Sequence, residues 1–411
     1  MTPAQSAHFF RHEYGRLVSL LARRVGFAHL EAVEDAVQFA LLKAVETWPR
    51  LGEPDPATPW LYRVACNHLI SERRLSALRE GLIGRLGPSH ESTLDPGEKA
   101  ALSGDLRDDL LRMLFACCDE AIPIESRLVF ALKTLCGFDV REIAQRLFTT
   151  SANVYKRLGR AREVLRNIPL ALDPLGPIHL SARLPVVQVV LYLMFTEGYL
   201  SSRAHQAIRL ELCDEAIRLT HLLAEHSLGA TPETFALLAL MHLHRARTNG
   251  RTDASGGLLL LEEQDRSRWD AQEIAEGMTW LARSAQGSVF SRYHAEAGIV
   301  AEHCLAASME QTRWEHIVSC YELLDRTTPS ALHTLNRAIA VAEWRGPEQG
   351  LAVLEGLEPP SWLDGSYLWS AVLADLHRRC GHLELAFRYR ESALAAAPSE
   401  TIRAALRRRL K

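Results

Sequence analysis

Apolar residues return at helical spacing over most of the chain, and this periodicity limits the fold more than any other feature. Residues 178–411 are rich in Ala and Leu, in stretches of about 12–20 residues broken by Gly or Pro, with no alternating strand pattern. Residues 1–77 also read as helical nearly throughout. "HFFRHEYGRLVSLLARRVG" places Phe9, Phe10, Leu17, Leu20 and Leu21 at helical intervals, and Gly26 can end that helix. "HLEAVEDAVQFALLKAVETW" puts Val33, Val37, Ala40, Leu41, Ala44 and Val45 on one face. "PRLGEPDPATP" then holds four prolines and a glycine in eleven residues. That density predicts a shaped loop, with a third helix, "WLYRVACNHLISERRLSAL", starting directly after Pro59. The expected class is all-α.

The stretch 138–166, "FDVREIAQRLFTTSANVYKRLGRAREVLR", is more specific. A short helix from Val140 to Leu147 sets Val140, Ile143, Ala144 and Leu147 on one side. Thr149, Thr150 and Ser151 break the pattern, and a hydroxyl there can accept an orphan backbone N–H of the next helix. That helix buries Val154, Leu158, Ala161 and Leu165 and displays Asn153, Tyr155, Lys156, Arg157, Arg160, Arg162 and Arg166. This is the layout of a helix-turn-helix whose second helix enters the major groove. An ordinary helical hairpin with a solvated basic face has the same pattern.

Charge divides the chain. The net charge of −3 hides 23 basic against 21 acidic residues in 1–170, which leaves 24 against 29 beyond. Within 133–166 the ratio is eight to three. A local basic patch on a weakly acidic protein suits one nucleic-acid-binding part joined to another part. The eight scattered cysteines form no C-x-x-C pair and read as reduced core thiols. No apolar run approaches the roughly 20 residues of a bilayer span, and the N-terminus lacks a signal-peptide core, so a cytoplasmic protein is expected. No nucleotide-binding, nucleophile-elbow or zincin motif occurs, so no enzyme and no cofactor are expected. His242 and His244, at i and i+2, do not face each other, and no metal site is assigned.

Residues 80–105, with weak periodicity and interspersed Gly, Pro and Ser, read as a linker. Near the C-terminus, "SYLWSAVLADLHRRCGHLELAFRYRESALAAAPSE" resembles a tetratricopeptide repeat. Ala374, Gly381, Ala386, Ala393 and Pro398 stand where small residues let two helices touch and a proline ends the second. "ALHTLNRAIAVAEWRGPEQGLAVLEGLEPP" is a degenerate copy, its Gly346 lying 35 residues before Gly381.

Three ordered motifs carry a family resemblance: "VEDAVQFALLKAVETWP", "TPWLYRVACNHLISERR" and "REIAQRLFTTSANVYKRLGRAREVL", followed by "VVLYLMFTEGYLSS". The chain resembles the extracytoplasmic-function sigma factors of the sigma-70 family, in the subgroup with a C-terminal tetratricopeptide-like extension. The resemblance implies sigma domain 2 over 1–79, a linker over 80–107, sigma domain 4 over 108–170 and a helical regulatory array over 171–411. It also implies binding to core RNA polymerase, through the beta-prime clamp helices and beta flap, and to promoter DNA. A protein or peptide partner of the array is expected too.

By that resemblance Glu34, Asp35, Gln38 and Leu42 would meet the polymerase clamp helices; the bland reading is an amphipathic helix with a solvated acidic edge. Trp48, Trp60, Tyr62, Arg63, Asn67, His68, Arg73 and Arg74 would hold the melted −10 strand, since unpaired bases need aromatic faces and cations. Trp60 reads equally as core. Ser151, Asn153, Lys156 and Arg157, with Tyr155 and Arg160, would read the −35 duplex, because Asn suits adenine and Lys or Arg suits guanine. Arg162 and Arg166 are assigned to phosphate or solvent. Glu197, Gly198 and Tyr199 either line a functional turn or mark a helix cap at Gly198. The chain departs from the family pattern at Phe39, Leu41, Cys66 and Ser71, which bears on −10 specificity. The competing function is a helix-turn-helix activator whose repeats sense a signal; residues 33–74 argue against it, since an activator needs no clamp helix.

Overall fold

The computed structural model describes residues 3–26, 29–79, 109–167, 177–201, 208–253 and 257–410. Among them it has 19 α-helices, three short 3-10 turns, one isolated bridge (Thr252 to Leu258) and no strand. They form two units, Met1–Leu191 with His226–Gly229, and Tyr192–Glu225 with Ala230–Lys411.

The first unit begins with α1 (Pro3–Val25), α2 (Leu30–Leu51) and α3 (Ala57–Arg79). Gly26 ends α1 at φ +86°, a left-handed conformation that favours glycine. Leu17 and Leu21 are buried as expected, and the side chains of Phe9 and Phe10 lie outside the described residues. α2 buries Leu30, Val33, Ala36, Val37, Ala40 and Ala44. Val45 is not on that face; it is 54% exposed. The expected loop is also shorter than its prolines suggest. α2 continues through Pro49, which sits so near the helix end that it forfeits only one backbone bond, and Gly52 closes the helix through its N–H on the Trp48 carbonyl at 3.0 Å. α3 starts before Pro59, not after it, because a proline in the first turn replaces an N–H that has no helical acceptor.

Four further helices follow: α4 (Asp109–Cys117), α5 (Ile124–Thr134), α6 (Val140–Arg146) and α7 (Ser151–Asn167). Leu111, Leu114, Val129, Phe130, Leu132 and Phe138 are buried among them. Cys117 and Cys118 are core thiols; burial pushes Cys118 up to about 12, so it stays protonated. Asp139 caps α6 by accepting the N–H groups of Arg141 and Glu142, and the Glu142 carboxylate accepts the Asp139 N–H at 2.7 Å.

The extension comprises α8 (Pro177–Tyr199), α9 (Leu210–Glu225), α10 (Pro232–Ala246), α11 (Ala271–Ser284), α12 (Arg292–Leu305), α13 (Trp314–Thr327), α14 (Ala331–Arg345), α15 (Pro347–Leu354), α16 (Ser361–Asp364), α17 (Tyr367–Arg379), α18 (Leu383–Ala395) and α19 (Glu400–Arg409). Both proposed repeat segments form helical hairpins, α14–α15 across Gly346 and α17–α18 across Gly381, each glycine at positive φ. Ala374, Ala386 and Ala393 are buried, as small residues between packed helices should be.

Contrary to expectation, α8 contains a window, Leu180–Tyr199, long and apolar enough to cross a membrane by length and composition, with a mean hydropathy of 1.3. Of that window 61% is buried inside the protein, and it carries Arg183 and Glu197, both buried. Gly198 is no helix cap: it lies within α8, and a Cβ there would meet the Cys213 backbone N at 2.7 Å and the Arg209 carbonyl at 2.8 Å. Glu197 is an internal ion-pair partner of Arg209 at 3.3 Å, both fully enclosed. The Arg251 guanidinium covers the Tyr199 ring at 3.7 Å. Glu197, Gly198 and Tyr199 are therefore packed inside the extension.

Candidate nucleic-acid interface

α7 presents the expected two faces. Val154, Leu158, Ala161 and Leu165 pack inward, while Asn153, Lys156 and Arg160 are exposed and Tyr155 is 64% exposed. The turn positions the helix start: Thr150 Oγ1 accepts the Asn153 N–H, and Asn153 Nδ2 donates to Thr149 Oγ1, each at 3.3 Å. Ser151 is half-buried. Arg157 pairs with Glu125 of α5 at 2.6 Å, which holds its guanidinium beside the strip.

Arg162 does not face an open phosphate-binding surface, whereas Arg166 stays exposed, at 59% of its side chain. Arg162 pairs with Glu34 of α2 at 2.7 Å and with Glu31 at 3.6 Å, and Arg166 reaches Glu31 at 3.7 Å. Thr134 Oγ1 donates a second hydrogen bond to Glu34 at 2.9 Å. Glu34 is thus only 5% exposed and is separated from the other residues expected at the clamp contact. Asp35, Gln38 and Leu42 remain on the exposed side of α2. Beside this contact, a Cβ on Gly15 of α1 would lie 2.3 Å from the Leu135 carbonyl oxygen. Only glycine permits that approach.

At the α2–α3 corner Trp48 and Trp60 meet at 5.6 Å, tilted by 60°, each half-buried. Arg63 and Asn67 are exposed on α3. His68 stacks on Phe39 at 4.1 Å. Burial raises the Tyr62 hydroxyl above its ordinary range, against a hydrogen bond from Arg24. The side chains of Arg73 and Arg74, and the linker 80–107, lie outside the described residues. Arg183, at the start of the extension, donates to the Phe115 carbonyl at 3.2 Å and pairs with Asp119, which ties the first half of α8 to the helices that carry the helix-turn-helix.

Residues 9–77 match Sigma-70 region 2, and residues 112–165 match Sigma-70, region 4. Over 146 residues the chain is 34% identical to the ECF RNA polymerase sigma factor SigL of Mycobacterium tuberculosis, covering 35% of this chain and 76% of that protein. The chain belongs to the ECF sigma factors. Residues 183–285 of this sigma factor match a family of unknown function, DUF6596. An uncharacterized protein of Rhizobium meliloti (strain 1021) is 32% identical over 390 residues, 93% of this chain and 90% of its own length. No solved structure matches the chain. As a sigma factor it binds core RNA polymerase and promoter DNA. Two parts of the site escaped sequence reasoning, the Glu34–Arg162 pair and the Arg183 tie. Their partners lie 128 and 64 residues apart, beyond any local signal.

Proposed function

We propose that α7 of this sigma factor reads the −35 duplex and that the α2–α3 corner holds the melted −10 strand. Asn153, Lys156 and Arg160 would reach base edges from the start of α7, with Ser151, Tyr155 and Arg157 beside them. Arg63, Asn67 and His68, with Trp48, Trp60 and Tyr62, would supply stacking and backbone contacts; Arg73 and Arg74 extend that set. Asp35, Gln38 and Leu42 would dock on the polymerase clamp helices, with Glu34 joining them once released. The extension would control this activity through its tie to region 4. The observation that carries the reading is the polar and cationic strip of α7, laid over a fully buried apolar stripe.

The contact between regions 2 and 4 adds a condition. Promoter elements centred at −35 and −10 lie about 25 base pairs apart, roughly 85 Å at 3.4 Å per step. Two regions joined through Glu34 and Arg162 cannot serve both elements at once. The 28 residues of 80–107 have a maximal reach of roughly 90–100 Å, enough to span the distance. Promoter binding therefore requires this closed form to part.

In-vitro transcription with bacterial core polymerase, comparing the full chain with one ending near residue 172, tests the reading. Promoter-dependent initiation by either supports it. If both bind duplex DNA and neither initiates, the activator reading replaces it. A more active truncation makes the extension an inhibitor, and an inactive one makes it a required part.

A further inference from the structure

Three consecutive helices of the DUF6596 segment bring two imidazoles and a carboxylate to one point. His221 stands on α9, His242 on α10 and Glu276 on α11. The histidine Nε2 atoms are 3.0 Å apart, and the three groups each offer a ligand atom within 4.8 Å of the others. The arrangement is held in place. Gly277 packs α11 on α10 so closely that a Cβ would meet Leu243 at 2.7 Å. His242 Nδ1 lies 2.7 Å from the Glu273 carboxylate, and Trp280 Nε1 donates to Glu276 Oε1 at 2.8 Å.

The protons follow from these partners. A carboxylate only accepts, so His242 carries its proton on Nδ1, toward Glu273, and offers a lone pair at Nε2. His221 Nε2 faces that lone pair, and the Glu276 carboxylate faces both. With His221 protonated at Nδ1, three donor lone pairs converge with no proton among them. We propose that His221, His242 and Glu276 bind a divalent transition-metal cation of the zinc class.

Zinc bonds of 2.0–2.1 Å at the tetrahedral angle set two nitrogens about 3.3 Å apart, and no two ligands more than about 4.2 Å apart. The imidazoles stand near the first value already. Glu276 is exposed and closes the remainder by side-chain rotation. Two imidazoles and one carboxylate favour zinc, cobalt, nickel or copper over calcium or magnesium. Glu273 supplies the outer carboxylate that orients a ligating histidine. The bound cation would cross-link α9, α10 and α11. This inference stands apart from the promoter-binding reading.

The test is titration of Zn²⁺, and of Co²⁺ as a spectroscopic probe, into the chelator-treated full chain. One equivalent should bind saturably and raise the melting temperature. Cobalt should give a tetrahedral visible spectrum without the thiolate charge-transfer band that cysteine ligation produces. Glu273→Gln should weaken binding about 10–100-fold; His221→Ala should weaken it further. Glu276→Gln keeps an oxygen that can accept the Trp280 Nε1 proton at an exposed position, so its loss of affinity reports the lost carboxylate charge and not misfolding. The proposal is overturned by absence of stoichiometric binding, by binding that survives both His221→Ala and Glu276→Gln, or by a thiolate spectrum. The two imidazoles then share a hydrogen bond only.

Discussion

Arg162→Ala should open the contact between regions 2 and 4. The side chain of Glu34 is 7% exposed and its carboxylate is held by Arg162 at 2.7 Å and Thr134 at 2.9 Å. Without Arg162 a buried carboxylate keeps one hydroxyl partner. Breaking a fully buried pair costs about 3–5 kcal/mol. Arg162 is 29% exposed and water can enter, so the cost expected here is that of losing a charged hydrogen bond, about 1.5–3 kcal/mol. That shifts the closed-to-open ratio about 10- to 150-fold. If core polymerase binds the open form, its apparent affinity rises by the same factor until the open form dominates. Gly15→Ala provides an uncharged second probe. Its Cβ cannot coexist with the Leu135 carbonyl at 2.3 Å, whereas within α1 alanine is favoured over glycine by about 1 kcal/mol. Small-angle scattering should report a larger radius of gyration for both variants, and core-binding titrations a tighter complex. Unchanged radius and unchanged affinity in both would refute the argument that this contact holds the closed form.

Four other outcomes are expected. Lys156→Ala should weaken DNA binding across sequences and reduce the salt slope of log K by about 1, measured by titration at several salt concentrations. Asn153→Ala should cost about 1–3 kcal/mol at one −35 position and relax preference there, read by competition between single-base promoter variants. Glu197→Ala removes the buried partner of Arg209 and leaves it the Glu211 carboxylate at 3.5 Å, so it should destabilise the extension by about 1.5–3 kcal/mol, the cost of a lost charged hydrogen bond, in urea unfolding; Gly198→Ala, blocked by the Cys213 and Arg209 backbones, should act in the same direction. His303 is held near 3 by burial and then by Arg247 and Arg266, so the folded chain keeps it neutral while the unfolded chain takes up a proton below about 6.5. Its contribution is present above that pH and is lost as pH falls toward 3, at about 1.4 kcal/mol per pH unit, and His303→Phe should flatten the urea-derived profile by that slope.

The elements legible in the sequence are those whose signal is local. The buried stripe of α7 and the polar turn before it occupy one window, and the structure reproduces both. Proline density misled because its effect depends on position: Pro59 sits in the first turn of α3, where an N–H has no helical acceptor, and Pro49 sits in the last turn of α2, where little helix remains to be broken. Glu197 reads as a polar break in an apolar run, yet its partner Arg209 lies twelve residues on, beyond the helix. The histidines and Glu276 stand on three helices, so no spacing motif links them.

Charge shows the same division within a single helix. Composition counts Lys156, Arg157, Arg160, Arg162 and Arg166 alike and reads one basic face. In the fold they separate: Lys156 and Arg160 stand exposed on the outer strip, Arg157 is paired with Glu125, and Arg162 and Arg166 turn to Glu31 and Glu34 of α2. The electrostatic footprint offered to DNA in the closed form is therefore smaller than the five cations suggest. Parting regions 2 and 4 would release Arg162 and free the exposed Arg166 from Glu31, so the opening that exposes Glu34 to polymerase also strengthens the nucleic-acid surface. A salt slope steeper in Gly15→Ala than in the natural chain would be the signature of that coupling, because this variant opens the contact without removing a charge.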